Sequence, residues 1–131
     1  METLFSKIIS GEVSSYKVAE DEYCLAFLDI NPNTKGHVLC VPKIAVDKFF
    51  DLPELTYNQL MSFSRKVALA IRKAIPCRRI GISIIGLEIP HAHVHLIPLQ
   101  SKEDAYFQKK AQLSEQEMED TAKEIAVFFE V

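Results

Sequence analysis

Three of the four histidines in the chain fall at alternate positions, in the run "HAHVHLIPL" that begins at residue 91. Imidazole is the side chain whose ordinary pKa lies nearest neutrality, so it can attack, donate a proton or hold a metal under mild conditions. Side chains of an extended segment alternate between its two faces. His91, His93 and His95 would therefore share one face, and Ala92, Val94 and Leu96 the other. The apolar face can pack on helices, whereas the imidazole face must meet solvent, a ligand or polar partners. Same-face neighbours on a strand stand roughly 6.5–7 Å apart. Two of the rings could then grip one zinc ion, with His37 or a carboxylate as third ligand. His91 and His95, roughly 13 Å apart on such a strand, could not both join it. Three evenly spaced rings suit an elongated ligand such as a phosphate chain better than a single ion. Imidazoles donate to phosphate oxygens, and one of them can attack phosphorus.

A strand bearing these rings needs partners, and the rest of the chain supplies them. Leu4, Phe5, Ile8 and Ile9 have helical spacing, and Gly11 can end that short helix. "SYKVAED" and "YCLAFLDI" read as two strands of a hairpin around Glu20, Asp21 and Glu22. After the turn formers of "NPNTKG", "HVLCVP" is a third strand, closed by Pro42. A long helix follows, with Thr56 and Gln59 spaced as a capping box. Leu60, Phe63, Val67, Ala70, Ile71 and Ala74 form its apolar stripe, Arg65, Lys66, Arg72 and Lys73 lie off it, and Pro76 ends it. "RIGISIIG" and the histidine run are two further strands. A last helix is capped by Ser114 with Glu117 and buries Met118, Ala122, Ile125 and Phe129. Short connections between consecutive strands argue for an antiparallel five-stranded sheet with helices packed on one face, a single α+β domain over 1–131.

Composition excludes several classes of function. A chain of 131 residues with 48% apolar and 25% charged residues is an ordinary globular domain. A net charge of −3 without a basic run argues against a nucleic-acid partner. No apolar run is long enough to span a membrane, and "METLFSKIISGEV" lacks the pattern of a secretory leader. Cys24, Cys40 and Cys77 are odd in number and form no Cys-x-x-Cys pair, so free thiols in a reducing compartment, the cytoplasm, are expected.

The run His91-Ala-His93-Val-His95-Leu-Ile resembles the His-φ-His-φ-His-φ-φ signature (φ apolar) of the histidine triad, or HIT, family of nucleotide hydrolases and transferases. Two further segments resemble the same family in the same order: "LFSKIISGEV" near the N-terminus and "AFLDINPNTKGHVLCVPK", which puts His37 at the family's fourth-histidine position. The resemblance implies a HIT-like fold and a nucleotide ligand, a purine nucleoside monophosphate derivative, handled as in the nucleoside phosphoramidase branch. It implies that His93 attacks the α-phosphate of a nucleoside 5′-phosphoramidate, dinucleoside polyphosphate or acyl-adenylate, forming a covalent nucleotidyl-histidine. His95 and His91 would bind phosphate oxygens and assist the leaving group, and His37 would support the cluster. Asp29 would hold the ribose hydroxyls, and Phe5, Ile8, Phe27 and Ile30 would form the base slot. It further implies a homodimer built on the long helix and a strand edge, and no cofactor.

The chain departs from the family pattern just before the triad. "SIIGLEIPH" is shorter than the family's Asn-containing, Gly-rich loop and lacks its Gly-Gln. Glu88 stands where a Ser or Thr normally donates to phosphate. A carboxylate there repels an anion unless protonated or turned away. It would act as a general acid, select a leaving group that carries a cation, or simply face solvent. Thr3, Ser6 and Ala45 occupy positions where relatives place structural zinc ligands, so no metal is expected. Two rival readings remain open: a nucleotide-binding module with weak or lost catalysis, and a metal-dependent enzyme that uses part of the histidine cluster as ligands.

Overall fold

The computed structural model describes residues 2–130. Helix α1 (Leu4–Ser10) starts in a reciprocal cap. The Thr3 hydroxyl accepts from the Ser6 N–H at 3.0 Å, and Ser6 Oγ accepts from the Thr3 N–H at 2.6 Å. Gly11 ends it at φ 86°, a backbone region that a side chain disfavours. Strands β1 (Lys17–Glu20), β2 (Cys24–Leu28) and β3 (Val38–Pro42) follow as consecutive antiparallel neighbours. Asp21 makes the first turn, where its Oδ1 accepts from the N–H groups of Tyr23 and Cys24.

Helix α2 (Glu54–Ala74) begins two residues before the expected capping box, with Pro53 as its N-cap and no side-chain cap. Tyr57 N–H already reaches the Pro53 carbonyl, which puts Thr56 inside the first turn. Proline is tolerated there because the first turn needs no N–H from it. The predicted stripe is otherwise the buried one, with Ser64 added and Ala74 only partly covered. Strands β4 (Arg79–Ser83) and β5 (Val94–Leu99) and helix α3 (Glu115–Ala126) complete the fold. Ser114 and Glu117 make the expected capping box. Phe129 lies past the end of α3, yet stacks edge-on against Phe63 of α2 at 5.6 Å.

All five strands are antiparallel, in the order β1-β2-β3-β5-β4, so β5 sits between β3 and β4. Residue alternation divides the two faces. Ala26, Leu28, Val38, Cys40, Val94 and Leu96 face the main core with α2 and α3. Leu25, Phe27, Leu39 and Val41 face the other way and are covered by Phe5 of α1, with Ile8, Ile9 and Ile89 packed around them. The two longer helices thus lie on one face as expected, while α1 shields the opposite face and makes one wall of the site described next. Each fully buried large apolar side chain in these cores contributes roughly 1.5–3 kcal/mol of transfer free energy.

Candidate active site

Only His95 of the three alternating histidines belongs to a strand, because β5 begins at Val94. The ladder to β3 stops at the Cys40–Val94 pair. Beyond it the backbone finds other partners: Ala92 N–H donates to the Val46 carbonyl at 2.7 Å and His91 N–H to Ile89 at 2.8 Å. The expected strand over His91 and His93 is therefore an irregular lead-in held by the loop after β3. The division of faces survives. Ala92, Val94 and Leu96 join the α2/α3 core, and the Phe5 ring meets His91 and His93 edge-on at 5.8 and 5.0 Å on the opposite side.

The backbone fixes which nitrogen of each neutral ring carries the proton, since a carbonyl only accepts and an N–H only donates. His93 Nδ1 lies 2.7 Å from the His91 carbonyl, so Nδ1 is protonated and Nε2 keeps a free lone pair. His37 Nδ1 accepts from the Asn33 N–H at 2.9 Å, which leaves the proton on Nε2. That Nε2–H donates to His95 Nδ1 at 2.9 Å, so His95 carries its own proton on Nε2. His91 donates Nε2–H to the Pro42 carbonyl at 2.9 Å and accepts from the Thr3 hydroxyl on Nδ1 at 2.8 Å. A bare nitrogen on His93 and an N–H on His95 thus stand side by side, with ring centroids 5.0 Å apart. Burial favours the neutral form of His37, His95 and His91. It lowers His37 from 6.5 to about 3 and His95 to about 4, and it also depresses His91.

His93 and His95 open onto a cavity of about 550 Å³, a size suited to a small organic ligand. Phe5, Ile8, Phe27 and Leu39 make its apolar wall. The loop Ile85–Ile89 stands opposite, and Asp29, Phe107 and Lys110 complete the lining. Asp29 spends Oδ1 on the Asn31 N–H at 2.9 Å, and its Oδ2 lies 3.6 Å from His37 Nε2. Burial raises its carboxyl above the ordinary value, partly offset by the Asn31 N–H and by the Lys110 charge.

Of the residues expected at the site, His93, His95, Asp29, Phe5, Ile8, Phe27, Ile30 and Glu88 all line this cavity. Ile30 does so from the rim, 80% exposed, and is no enclosed wall of a slot. Glu88 is exposed on the facing loop and forms no ion pair among the described residues. His91 and His37 lie behind the cavity, fully buried. Both His91 nitrogens are already engaged, so it has none to offer a phosphate oxygen; the expected phosphate contact gives way to a positioning geometry. Thr3, at a position considered for zinc, instead caps α1 and bonds His91.

Sequence reading missed Asn33, Phe107 and Lys110. The Lys110 ammonium donates to Asn33 Oδ1 at 2.7 Å and lies 5.0 Å over the Phe107 ring. That ring is 4.8 Å from His95 and 5.9 Å from His37. The only local signal is a lysine pair in a segment without periodicity, which says nothing of contacts 77 residues away.

A metal would find one set of donors among the described residues: Asp29, His37 and His95, with ligand atoms within 4.8 Å of one another. This differs from the pair of alternating histidines that spacing suggested. The set fits a metal poorly. His37 Nδ1 already accepts a backbone N–H, so a metal on Nε2 would require an imidazolate and the loss of the His37–His95 bond.

Comparison with known proteins agrees with this geometry. Residues 10–102 match the HIT domain family model. An uncharacterised HIT-like protein of Methanocaldococcus jannaschii is 34% identical over 93% of this chain and 97% of its own length. The adenosine 5′-monophosphoramidase HNT1 of Saccharomyces cerevisiae is 35% identical over 72% of this chain and 61% of its own. A HIT-like protein of Bartonella henselae, described as involved in cell-cycle regulation, superposes with a TM-score of 0.85 at 27% identity over 96% and 95% of the two chains. The alternating histidines, the five-stranded sheet they lead into and the span of the match together make the chain a member of the HIT family.

Proposed function

We propose that the protein hydrolyses a nucleoside 5′-phosphoramidate, or a related adenylate or dinucleoside polyphosphate, at the α-phosphate without a metal. The observation that carries this reading is the pair of opposite tautomers: a bare Nε2 on His93 beside an Nε2–H on His95. The monophosphoramidase name of the yeast relative supports the same class of bond.

In this mechanism His93 Nε2 bonds to the α-phosphorus and the phosphorus–nitrogen bond breaks. The amine leaves with a proton taken from solvent in the open cavity, while the Nε2–H of His95, aimed by His37, donates a hydrogen bond to the reacting phosphoryl group. His93 becomes a cationic nucleotidyl-imidazolium whose Nδ1–H still donates to the His91 carbonyl, so the ring does not turn while charged. Water then displaces it, releasing the nucleoside monophosphate and a proton. Asp29 Oδ2 accepts from the ribose hydroxyls, and Phe5, Ile8 and Phe27 flank the base. Glu88, on the opposite rim, favours a leaving group that carries an amine over one that carries more phosphate.

The protein acts as a homodimer in this proposal. β4 is an edge strand that exposes Ile82, and Leu69 of α2 is exposed as well. An apolar edge of this kind invites pairing with a second copy. Buried Cys24 and Cys40, with thiols pushed up to about 12 by burial, suit the reducing cytoplasm. Among the described residues no helix is long and apolar enough to cross a membrane.

The test is AMP release from adenosine 5′-phosphoramidate in excess EDTA, comparing wild type with His93→Ala. Release by the wild type alone is expected, with AMP still bound by the variant. Equal release by both refutes the nucleophile, and loss of activity in EDTA favours the metal-dependent reading. Binding of AMP without turnover by the wild type would make the protein a binding module, the outcome favoured by its short loop.

A further inference from the structure

Attack at phosphorus gathers negative charge on the phosphoryl oxygens, and that charge needs donors. The loop before the triad offers little here. It is short, and its one charged residue, Glu88, is an acid. Asp29 is a second acid on the cavity wall, and burial keeps His95 neutral. Among the described residues lining the cavity, Lys110 is the one lysine or arginine.

Its placement is built rather than incidental. Asn33 is buried and anchored twice: its side-chain amide donates to the Asp104 carbonyl at 2.9 Å, and its backbone N–H donates to His37. The first bond fixes the orientation of the amide, so Oδ1 must face Lys110. Phe107 holds the ammonium from below and at the same time covers His95 and His37. It does so at φ 63°, the one residue other than glycine with positive φ among the described residues. A bulky residue rarely occupies that region unless its surroundings impose it. One strap, Asp104–Lys110, therefore closes over the His37–His95 pair and delivers a cation beside it. An ammonium has three protons to donate; Asn33 takes one, and no carboxylate lies within 4.0 Å among the described residues. The family model matches only as far as residue 102, so it does not reach this strap.

We propose that Lys110 binds the phosphate of the nucleotide and stabilises the charge that develops on its oxygens, a role for which the short, acidic loop provides no cation. Asn33 and Phe107 are positioning residues that aim it. The proposal rests on the nucleotide reading above, yet it can be judged by binding alone.

The experiment measures affinity for AMP and for adenosine by calorimetry, on full-length wild type, Lys110→Met, Lys110→Arg and, as a control, Lys109→Met on the exposed neighbour. Turnover of adenosine 5′-phosphoramidate is followed in the same four proteins. Lys110→Met should weaken AMP about tenfold or more, the worth of one charge-assisted hydrogen bond, while adenosine binding is unchanged. Its kcat/KM should fall by about 100-fold, as for loss of a donor to a transition-state oxygen. Lys110→Arg should recover part of both, and Lys109→Met should match the wild type. The proposal is overturned if Lys110→Met binds AMP within twofold of wild type. It is equally overturned if AMP and adenosine weaken together, which would show a purely structural role. A wild type that prefers AMP to adenosine through Lys110 but turns nothing over would sustain this proposal while refuting the hydrolase. A wild type with no preference for AMP over adenosine would refute this proposal even if phosphoramidate is cleaved.

Discussion

The two nitrogens of an imidazole have different jobs, and here the main chain assigns them. Three main-chain groups, the His91 carbonyl, the Pro42 carbonyl and the Asn33 N–H, determine all four neutral tautomers. A consequence follows for pH. With folded-state values of about 3 and 4, His37 and His95 stay neutral well below the ordinary 6.5 of a free imidazole. Nitrogen-15 spectra at pH 5 should still show both rings neutral and protonated on Nε2; a ring that charges between pH 6 and 7 would contradict this hydrogen-bond chain. The same shifts set the sign of acid sensitivity. Between pH 6.5 and about 4 the unfolded chain binds protons that the folded chain refuses, so stability rises with pH across that window and is lost as pH falls through it. The slope from each ring is at most about 1.4 kcal/mol per pH unit. Asp29, raised by burial, acts in the opposite sense below its folded value.

At the scale of elements, the site depends on a short helix. Thr3 caps α1 and bonds His91 with one hydroxyl, so the helix that carries Phe5 and Ile8 is pinned to the ring behind His93. Thr3→Ala should cost about 1 kcal/mol for the cap and a further ~1–3 kcal/mol for the unpaired His91 nitrogen. Thermal melts should show that loss together with reduced turnover, and Thr3→Ser should restore both; an unchanged melting temperature would refute the link. Most elements were legible in the sequence because their signals are local. Gly11, the Ser114–Glu117 box and the apolar runs of β2 and β3 bounded by turn formers each act within a few residues. Thr56 and Gln59 misled because their spacing is right, but a proline three residues earlier already serves as the N-cap. His91 and His93 alternate as a strand would, yet the Ala92 N–H between them goes to Val46, the His91 N–H to Ile89 and the His91 ring to Pro42, partners that spacing cannot reveal.

For the whole molecule, the sheet brings the histidines of β5 and its lead-in together with His37, and the segment between β5 and α3 folds back to cover them. His93, His95, Asp29 and the apolar wall were legible because they sit in quotable runs. Asn33 and Lys110 were not, since only the chain's return over β5 joins them. The dimer proposal belongs to this scale too. Ile82→Glu on the exposed β4 edge should convert a dimer to a monomer in sedimentation with the fold retained, whereas a wild-type monomer would remove the proposal. A covalent nucleotidyl-histidine leaves its mark on the stereochemical course at phosphorus. An adenosine 5′-phosphoramidate analogue chiral at the α-phosphorus is hydrolysed in isotopically labelled water, and the configuration of the product is determined. Two successive displacements through His93 predict retention; inversion would mean that water attacks the substrate directly and that no nucleotidyl-histidine forms.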